Sequence, residues 1–471
     1  MSETFSADTT LPFVPPVPVP TADPPENFIF LRSLAALPAI LKNPISTFSK
    51  RQFEELNSYT QLFHQPIALV HDPKTLRHLF VEHAKSLAAE PVRQAVLQPA
   101  LRDGMLTAQG ELWRRTRKTL APVFSPRHVD GFAASMERTT KAFIDDIKSQ
   151  GDGEYKVADM MSRLTYLILS DTLFSGELDA DTDAILADVA HFLDKLGQPN
   201  PLDFLAAPAW MPRLTKLGGQ RALKRFRSAV RTATERRKAA IAEGNDVPND
   251  FLTLLLEAQS GEGGLSLDEV EDNIITFVAA GHETTARALA WTLYLLNFDP
   301  AAAKRCVEEI DGLDLENLPP QEWMDALPWT TACFEESMRL FPPAPMITRR
   351  LVEDFEFDGF HINAGANIMV SPWILHRHHK LWSEPDSFKP ERFFGENRAK
   401  IDRFAYLPFG LGPRICIGAR FAMQEGIIAL ALLLKNFNFT YTGKDKPWPV
   451  MKITLQPDNG VPMHLADRSH A

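Results

Sequence analysis

The chain has few cysteines, no basic excess and no long apolar run, and each absence excludes a class of protein. Cys306, Cys333 and Cys416 are the only cysteines in 471 residues, an odd number at wide spacing, which excludes a disulfide scaffold and favours a reducing compartment. The net charge of −10 gives no sign of a nucleic-acid binder. No apolar stretch reaches the length that spans a bilayer. We therefore expect a soluble, cytoplasmic protein without a membrane anchor.

The sequence also lacks internal repeats and Gly/Ser-rich linkers, so nothing divides it into independent domains. Its N-terminus is different, because seven prolines lie between Pro12 and Pro25 and predict an extended arm. This segment has no basic region followed by an apolar core, so we predict no signal peptide. We predict an arm over residues 1–27 and a single domain over residues 28–471.

Helical periodicity is what the chain has in abundance. The longest helix signal runs from about 266 to 297 and begins with Ser266 and Glu269 in a capping-box pattern. A second helix is predicted over about 328–340, and a last one from Cys416 to about 436. The central helix is apolar on nearly all sides in its second half, so we expect it to be buried.

The β signals are shorter. Residues 59–70 have strand composition with a turn in the middle, and short strands are predicted around 350–371. A terminal hairpin is predicted over 452–465, turning at Asn459–Gly460. The predicted fold is mainly α with a minor β portion.

The segment FGLGPRICIG, residues 409–418, places Cys416 among Gly410, Gly412 and Gly418. At the start of a helix, unpaired backbone N–H groups and the helix dipole stabilise a thiolate. Glycines leave room for a flat ligand against the backbone. A thiolate beside open backbone suits axial ligation of a haem iron. The alternative, a buried inert cysteine, would not need these glycines.

The segment AAGHETTA, residues 279–286, lies in the middle of the longest predicted helix. Ala280 and Gly281 would let a ligand approach closely, while Glu283 and Thr284 place an acid and a hydroxyl in an apolar helix. A threonine side chain can bond back to helix carbonyls and distort the turn. The alternative is a solvated patch with a tolerated glycine.

Together these segments resemble the cytochrome P450 family. FGLGPRICIG matches Phe-x-x-Gly-x-Arg-x-Cys-x-Gly at every fixed position: Phe409, Gly412, Arg414, Cys416 and Gly418. The resemblance implies that Cys416 is the proximal iron ligand, that Phe409 packs near its sulfur, and that Arg414 pairs with a haem propionate. Gly410 and Gly418 would then lie against the haem.

The resemblance also assigns roles on the central helix. It implies that Thr284 steadies bound dioxygen and that Glu283 feeds the proton relay, with Ala280 and Gly281 beside the haem. Glutamate stands where many family members have aspartate, and both occur.

A buried structural triad is implied as well. Glu336 and Arg339 are three residues apart on one helix, a spacing that by itself is typical of a surface ion pair. The resemblance implies that Arg392, in the Pro-Glu-Arg-Phe segment, joins them and that the triad fixes the loop carrying Cys416. Planar bidentate pairing would make lysine a poor substitute for either arginine.

Further propionate contacts are implied by Trp113 and Arg117, which match Trp-x-x-x-Arg, and by Arg349 in preference to Arg350. On the same helix, Arg114, Arg115 and Lys118 form either a docking patch for an acidic redox partner or an ordinary solvated face.

Two other features bear on cofactors. The HRHH segment at 376–379 lacks a second cluster at metal-site spacing, so we interpret it as structural. The chain has no C-x-x-C-H motif, so haem b would be held without covalent links.

The resemblance as a whole implies a bacterial-type haem-thiolate monooxygenase, with a triangular helix-rich domain and the haem between the long central helix and the Cys-loop helix. Dioxygen would be co-substrate. Electrons from NAD(P)H would come through a separate reductase and a ferredoxin or flavodoxin, and we expect a monomer. Three alternatives stay open: a haem-thiolate peroxygenase or isomerase, a non-enzymatic haem-binding sensor, and a helical scaffold without haem.

The substrate is predicted only by class. The pocket is expected to include Ala280, Met346, Ile347 and Pro462, with residues 84–105 nearby. These residues are mostly apolar, so we expect a lipophilic substrate such as a fatty acid, terpenoid, steroid or aromatic. The proline-rich but apolar segment 197–212 is predicted to be a mobile lid.

Overall fold

A computed structural model describes residues 12–22, 29–177, 220–259 and 264–468 of the chain. The predicted lid over residues 197–212 lies outside these ranges.

Helices dominate the described residues, which confirms the predicted mainly α fold. In chain order, helices α1 to α17 are Ile29–Lys42, Lys50–Glu54, Pro73–Arg77, Pro91–Leu101, Gly110–Leu120, Pro126–Gly131, Ala133–Gln150, Val157–Phe174, Gln220–Ala242, Phe251–Gln259, Leu267–Phe298, Pro300–Asp311, Trp323–Ala326, Pro328–Leu340, Pro372–Leu375, Asn397–Lys400 and Ala419–Asn436. A π-helix, His78–Glu82, follows α3.

The strands are short and form small sheets. In chain order, β1 to β12 are Asn57–Leu62, Gln65–Val70, Leu87–Ala88, Gly153–Lys156, Ile347–Leu351, Phe355–Phe357, Phe360–Ile362, Asn367–Val370, Phe437–Tyr441, Pro449–Met451, Leu455–Pro457 and Pro462–Asp467. One sheet has the order β1-β2-β8-β5-β3, with β2 and β8 parallel, and a second has the order β4-β12-β9. The pairs β6–β7 and β10–β11 are separate hairpins.

Helix α11 is the long central helix that the sequence predicts. Ser266 caps it, with its hydroxyl accepting from the Glu269 N–H and the Glu269 carboxylate accepting from the Ser266 N–H, which is the predicted capping box. Its 32 residues make a rod of about 48 Å. The second half, including Trp291 and Tyr294, is buried. Helix α11 therefore forms the axis against which the other elements pack.

One predicted helix start and one predicted strand pairing are wrong. The last helix, α17, begins at Ala419 with Gly418 as its N-cap, so Cys416 precedes the helix. The predicted hairpin over 452–465 does not form: β11 pairs with β10, whereas β12 pairs with β4 and β9. The reason is that Asn459–Gly460 is a local turn signal, and long-range pairing decides the partner of each strand. Gly460 does turn the chain, at φ +74°, but between two different sheets.

The described part of the proline-rich arm lies against the helical body. The Phe13 ring stacks on Phe298 with centroids 4.9 Å apart, and the Phe13 carbonyl accepts a hydrogen bond of 2.8 Å from the Phe388 N–H. Thr21 forms a parallel bridge with Ser49. Among the helices in the described ranges, none is both long and apolar enough to cross a membrane.

Candidate functional site

The loop that carries Cys416 is closed by a backbone hydrogen bond. The Cys416 N–H donates to the Phe409 carbonyl at 2.8 Å, which turns residues 409–416 back on themselves. Gly410 and Gly412 adopt φ values of +78° and +68°, which side chains other than glycine rarely tolerate. The cysteine is solvent-accessible. The loop thus presents the Cys416 thiol to a ligand.

Gly412 allows the cysteine loop to pack against the protein backbone. A Cβ at this position would lie 2.4 Å from the carbonyl oxygen of Phe80, which belongs to the π-helix. The loop therefore needs glycine here to pack against protein backbone, and a ligand is not required to explain it. At Gly418 the nearest atom to an added Cβ is a Phe124 ring carbon at 3.8 Å, so that glycine is less constrained.

The start of α17 does not by itself lower the pKa of the Cys416 thiol. Surrounding protein atoms desolvate it and raise its pKa, while the Gly418 N–H and the Arg117 guanidinium lower the pKa in part. Burial is the larger effect, so the N–H of Gly418, the N-cap of α17, offsets it only in part. A coordinated metal ion deprotonates a thiol outright, so ligation would supply the missing stabilisation.

The predicted triad forms at the C-terminal end of α14. Arg339 makes a bidentate pair with Glu336 at 2.6 and 2.8 Å, and both side chains are fully buried. Arg392 approaches the same carboxylate at 3.5 Å. The Lys389 N–H donates to it at 2.8 Å. A carboxylate buried this deeply requires such donors.

Arg339 connects this triad to the cysteine loop through His376. Its guanidinium donates to the His376 carbonyl at 2.7 Å, and also to the carbonyls of Pro385 and Ser387. The His376 Nε2 in turn accepts from the Leu407 N–H at 2.8 Å, two residues before Phe409. Burial and the nearby Arg339 lower the pKa of His376 well below its usual value, so the ring stays neutral and can accept. The HRHH segment therefore contributes a structural link to the site.

Three arginines lie close together beside the loop, with Glu90 near one of them, Arg93. Arg93, Arg349 and Arg414 line one small cavity. Burial, followed by repulsion from Arg93 and Arg414, lowers the pKa of Arg349 to about 9, and burial with repulsion from Arg93 lowers that of Arg414 to about 10. Within the described ranges, none of the three forms an ion pair with a carboxylate. Concentrated positive charge of this kind suits the carboxylates of a ligand.

Arg93 was not predicted as a cofactor contact. Its only signal in the sequence is its position in the 84–105 stretch expected near the pocket, because no motif marks it. Trp113 and Arg117, which were predicted, also lie here: the Arg414 guanidinium sits 4.5 Å from the centre of the Trp113 ring, and the Arg117 guanidinium lies 3.8 Å from the Met105 sulfur. The arginines at 349 and 414 are both in this cluster, whereas Arg350 is near Asn367 instead.

One face of α11 is open in the middle of an otherwise buried stretch. Ala280 is exposed and Thr284 is half-buried, whereas Val278 and Ala286 are buried. Residues four apart share a helix face, so Ala280 and Thr284 face the same space. The Thr284 hydroxyl donates to the Ala280 carbonyl at 2.8 Å. This is the back-bonding that the sequence predicts for a threonine in the helix.

Gly281 points elsewhere. A Cβ on Gly281 would lie 3.3 Å from a methyl carbon of Leu169, so this glycine allows α8 to pack closely against α11. Thr165 of α8 donates to the His282 carbonyl at 2.8 Å across the same contact. The contacts therefore favour a helix-packing role for Gly281 over the predicted one beside the haem.

Glu283 is buried and turned toward the β10–β11 hairpin. Its Oε1 accepts from Thr454 at 2.8 Å and from Gln456 at 2.5 Å, and the Arg287 guanidinium lies 3.4 Å away. Among the hydrogen bonds of the described residues, none joins Glu283 to Thr284. The predicted acid and hydroxyl are thus neighbours in the chain but are not in direct contact.

The predicted pocket residues separate into two groups. Ile347 lies against the cysteine loop, with a methyl carbon 3.9 Å from where a Gly410 Cβ would be, and Met346 precedes it as a half-buried residue. Pro462 lies in β12 opposite Lys156. The predicted hairpin around it does not form, and its place in the pocket stays a prediction.

The basic run on α5 is partly neutralised. Arg114 pairs with Glu111, and Arg115 pairs with Glu269 at the start of α11. Lys118 is exposed on the same helix. The patch is therefore less positive than the sequence suggests.

The residues present fit a haem group. An accessible cysteine, a cluster of unpaired arginines and an open face with a hydroxyl supply an iron ligand, partners for two carboxylates, and a polar group for a small ligand.

Comparisons with known proteins agree with this assignment. The family described as Cytochrome P450 matches residues 33–462 of the chain. LUTEIN DEFICIENT 5, chloroplastic, of Arabidopsis thaliana is 30% identical over 396 residues, which are 79% of this chain and 65% of that protein, so the chain spans less than two thirds of its length. Taurochenodeoxycholic 6 alpha-hydroxylase of Sus scrofa is 30% identical over 420 residues, 85% of this chain and 82% of that protein.

A solved structure shows the same fold. The crystal structure of the cytochrome P450DA heme domain matches with a TM-score of 0.80 at 24% identity, covering 96% of this chain and 99% of that one. Because the family match covers most of the sequence and the fold agrees, this chain belongs to the cytochrome P450 family, the haem-thiolate monooxygenases that use dioxygen.

Proposed function

We propose that this chain oxidises a lipophilic organic substrate by inserting one atom of dioxygen, while the other leaves as water with two electrons from separate redox proteins and two protons. The observation that carries the proposal is that the accessible Cys416 thiol lies in the same loop as Arg414, which lines one small cavity with Arg93 and Arg349. Bound haem supplies the oxygen chemistry, and thiolate ligation favours O–O cleavage.

The protein's own residues would hold the haem, orient the sulfur that ligates it and deliver protons. Cys416 would hold the iron, and the loop closed by its hydrogen bond to Phe409 would fix the direction of its sulfur. The arginine cluster, with Trp113 and Arg117, binds the propionates. On α11, Thr284 steadies the oxygen and Glu283 carries protons toward it.

The test is the absorption spectrum of the purified protein, reduced with dithionite and exposed to carbon monoxide. We expect a strongly red-shifted Soret band that is absent in Cys416→Ala. A band typical of histidine ligation, or a colourless protein, would contradict the proposal.

The proton-carrying roles separate a monooxygenase from a peroxygenase or a sensor. With a ferredoxin and its reductase, we expect Thr284→Ala to release most of the reducing equivalents as hydrogen peroxide. Steady turnover with added hydrogen peroxide but none with redox partners would favour the peroxygenase. Unchanged behaviour of Thr284→Ala in every assay would favour the sensor.

The lipophilic substrate class is supported by the apolar side chains Ala280, Met346 and Ile347 around the loop and the open helix face. One relative is named for hydroxylating taurochenodeoxycholic acid, a steroid acid. Titrating the haem protein with a fatty acid, a terpenoid, a steroid and an aromatic compound, and following the spin-state shift, tests this. Tighter binding of a hydrophilic compound than of all four would contradict it.

The redox partner is proposed to be a ferredoxin or flavodoxin, reduced by an NAD(P)H-dependent reductase, acting on a monomer in the cytoplasm. The three cysteines are free, as a reducing compartment requires. Docking is proposed at the basic run on α5, where Lys118 is exposed. Ile415, the residue before Cys416, is 44% exposed. Lys118→Glu should slow reduction by the partner most at low salt, and Lys238→Glu on α9 should not. Equal slowing by both variants would argue against this face.

We also propose that residues 28–471 act as one catalytic domain and residues 1–27 as its arm. The packing of Phe13 on Phe298 supports an arm that adds to stability and takes no part in the chemistry.

A further inference from the structure

The carboxylate of Glu283 is held by a hairpin that lies far from it in sequence. Thr454 and Gln456, 171 and 173 residues away, donate to the same oxygen, Oε1, at 2.8 and 2.5 Å. Arg287, one helical turn along α11, adds a guanidinium 3.4 Å from that oxygen. Neutral donors from the hairpin and a cation from the helix therefore fix one carboxylate rotamer.

Burial makes these donors necessary. Glu283 is 6% and Thr454 is 3% exposed, so neither water nor the rest of the helix can replace the hairpin donors fully. A buried carboxylate that loses a hydrogen-bond donor reorients toward whatever donors remain. Here the remaining cation, Arg287, is itself tied to the Ala158 carbonyl of α8. Loss of the hairpin donors would pull the acid toward α8.

The direction of the acid is not set by its functional neighbour. Thr284 gives its hydroxyl proton to the Ala280 carbonyl, and within the described residues no hydrogen bond joins it to Glu283. Proton transfer between the two side chains therefore has no direct hydrogen bond to follow, so the orientation of the carboxylate decides whether a proton can be passed on.

The β10–β11 hairpin is itself held in place by hydrogen bonds to other elements. Between its two donors lies Leu455, whose carbonyl accepts from the Trp291 indole at 3.1 Å and whose N–H donates to the Pro343 carbonyl at 3.1 Å. At the other strand, Asn43 donates to the Pro449 carbonyl and accepts from the Met451 N–H. The hairpin is thus bound to α11, to the segment before β5, and to the turn after α1.

We propose that Thr454 and Gln456 are positioning residues for proton delivery: by holding the Glu283 carboxylate in one orientation, the β10–β11 hairpin sets how much consumed oxygen is reduced to water or product and how much escapes as peroxide. The proposal rests on the proposed role of Glu283. It adds two residues that no motif marks, and it makes the hairpin part of the oxygen chemistry.

The test uses the haem protein with a ferredoxin, its reductase, and dodecanoic acid as a lipophilic probe. Thr454→Val and Gln456→Leu keep the side-chain volume and remove the donor. We expect each to raise hydrogen peroxide released per NAD(P)H about threefold or more, because a positioned acid is worth much more than this and misplacement loses part of it. The solvent deuterium isotope effect on turnover should rise, while the probe's spin-state affinity stays the same.

Two matched variants separate positioning from general damage. Thr454→Ser retains the hydroxyl and should behave as the unmodified protein. Val450→Ala alters the residue paired with Gln456 in the hairpin without touching Glu283, and should leave the peroxide yield within about twofold. If Val450→Ala raises the peroxide yield as much as Gln456→Leu does, or if Thr454→Ser fails to restore it, positioning is wrong.

A double-mutant cycle with Glu283→Gln distinguishes failure of the positioning inference from failure of the proposed role of Glu283. If the inference holds, Gln456→Leu adds nothing to the peroxide yield of Glu283→Gln, and the cycle is also non-additive in thermal unfolding. If Glu283→Gln raises the peroxide yield but Gln456→Leu does not, the positioning inference fails and the proposed function stands. If Glu283→Gln has no effect, the proposed role of Glu283 fails and the inference fails with it.

Discussion

The loop that carries Cys416 and the helix face that carries Thr284 are held in place by contacts of very different range. The cysteine loop is fixed through steps of 31 to 53 residues, from Glu336 to Lys389, Arg339 to His376, and His376 to Leu407. The acid beside Thr284 depends on donors 171 and 173 residues away. The first region is a network of charges and backbone groups with a fully buried centre at Glu336, Arg339 and His376, and the second is a single carboxylate that accepts hydrogen bonds from a hairpin. Damage to the first should therefore cost folding and haem retention, and damage to the second should cost efficiency.

The largest expected effect is at Arg339, and it tests whether the cysteine side is structural. In Arg339→Lys, one ammonium group cannot pair bidentately with Glu336 and also serve three carbonyls. Incomplete compensation of a buried charge costs about 3–5 kcal/mol, so we expect little haem-loaded protein. Haem content and urea unfolding measure this.

The control is an arginine of α16 that pairs with Glu335, a neighbour of Glu336 on α14. Arg398→Lys alters a half-exposed pair with Glu335 and should cost about 0–1 kcal/mol. Equal losses of haem content and unfolding free energy in the two variants would mean that the buried triad contributes no more to stability than a half-exposed ion pair.

The same contrast explains which parts of the site the sequence could predict. Glu336, Arg339 and Arg392 were predicted because closely spaced motifs carry them, and the bounds of α11 and α14 follow from caps and prolines that act locally. Arg93, Thr454 and Gln456 were not predicted, since only folding brings them to their partners. The Asn459–Gly460 signal marked a real turn but could not indicate that β11 and β12 join different sheets.

The second prediction concerns Gly412, which packs against the Phe80 carbonyl. Gly412→Ala would combine a positive φ with a Cβ 2.4 Å from the Phe80 carbonyl oxygen. We expect a loss of about 2–4 kcal/mol in unfolding free energy and weaker haem retention. In Gly418→Ala the added Cβ would lie 3.8 Å from the nearest atom and φ is −90°, so the unfolding free energy should change little. A larger loss in Gly418→Ala than in Gly412→Ala would mean that close approach of the ligand at Gly418, and not backbone packing at Gly412, is the reason the loop needs glycine.

The third prediction lies where α17 meets α11, between the two regions. Burial raises the pKa of Glu425 to about 8 from its ordinary 4.5, and a hydrogen bond from Thr285 offsets this in part. The folded state therefore holds the proton more tightly than the unfolded state, so stability falls as pH rises from about 4.5 through about 8. Glu425→Gln stays neutral. Its unfolding free energy should match that of the unmodified protein near pH 4.5 and exceed it by a few kcal/mol above pH 8.

Urea unfolding across that pH range checks the sign. Glu391→Gln on the surface controls for the removal of a charge as such. A difference between Glu425→Gln and the unmodified protein that does not change with pH would show that Glu425 is ionised in the folded state and that an unrecognised partner compensates it.

The smallest effect is expected in the N-terminal arm. It tests whether the arm belongs to the network that holds the cysteine loop. Phe13→Ala removes the stack on Phe298 and should lower the unfolding free energy by about 1–2 kcal/mol, whereas Val14→Ala, at a side chain 53% exposed, should change it little. The arm touches Phe388, next to the Ser387 carbonyl that accepts from Arg339, but it does so through the Phe13 backbone, which the substitution keeps. Haem content should therefore not change. If it falls in Phe13→Ala and not in Val14→Ala, the arm belongs to the network that holds Cys416, and the boundary between arm and catalytic domain at residue 28 would have to be abandoned.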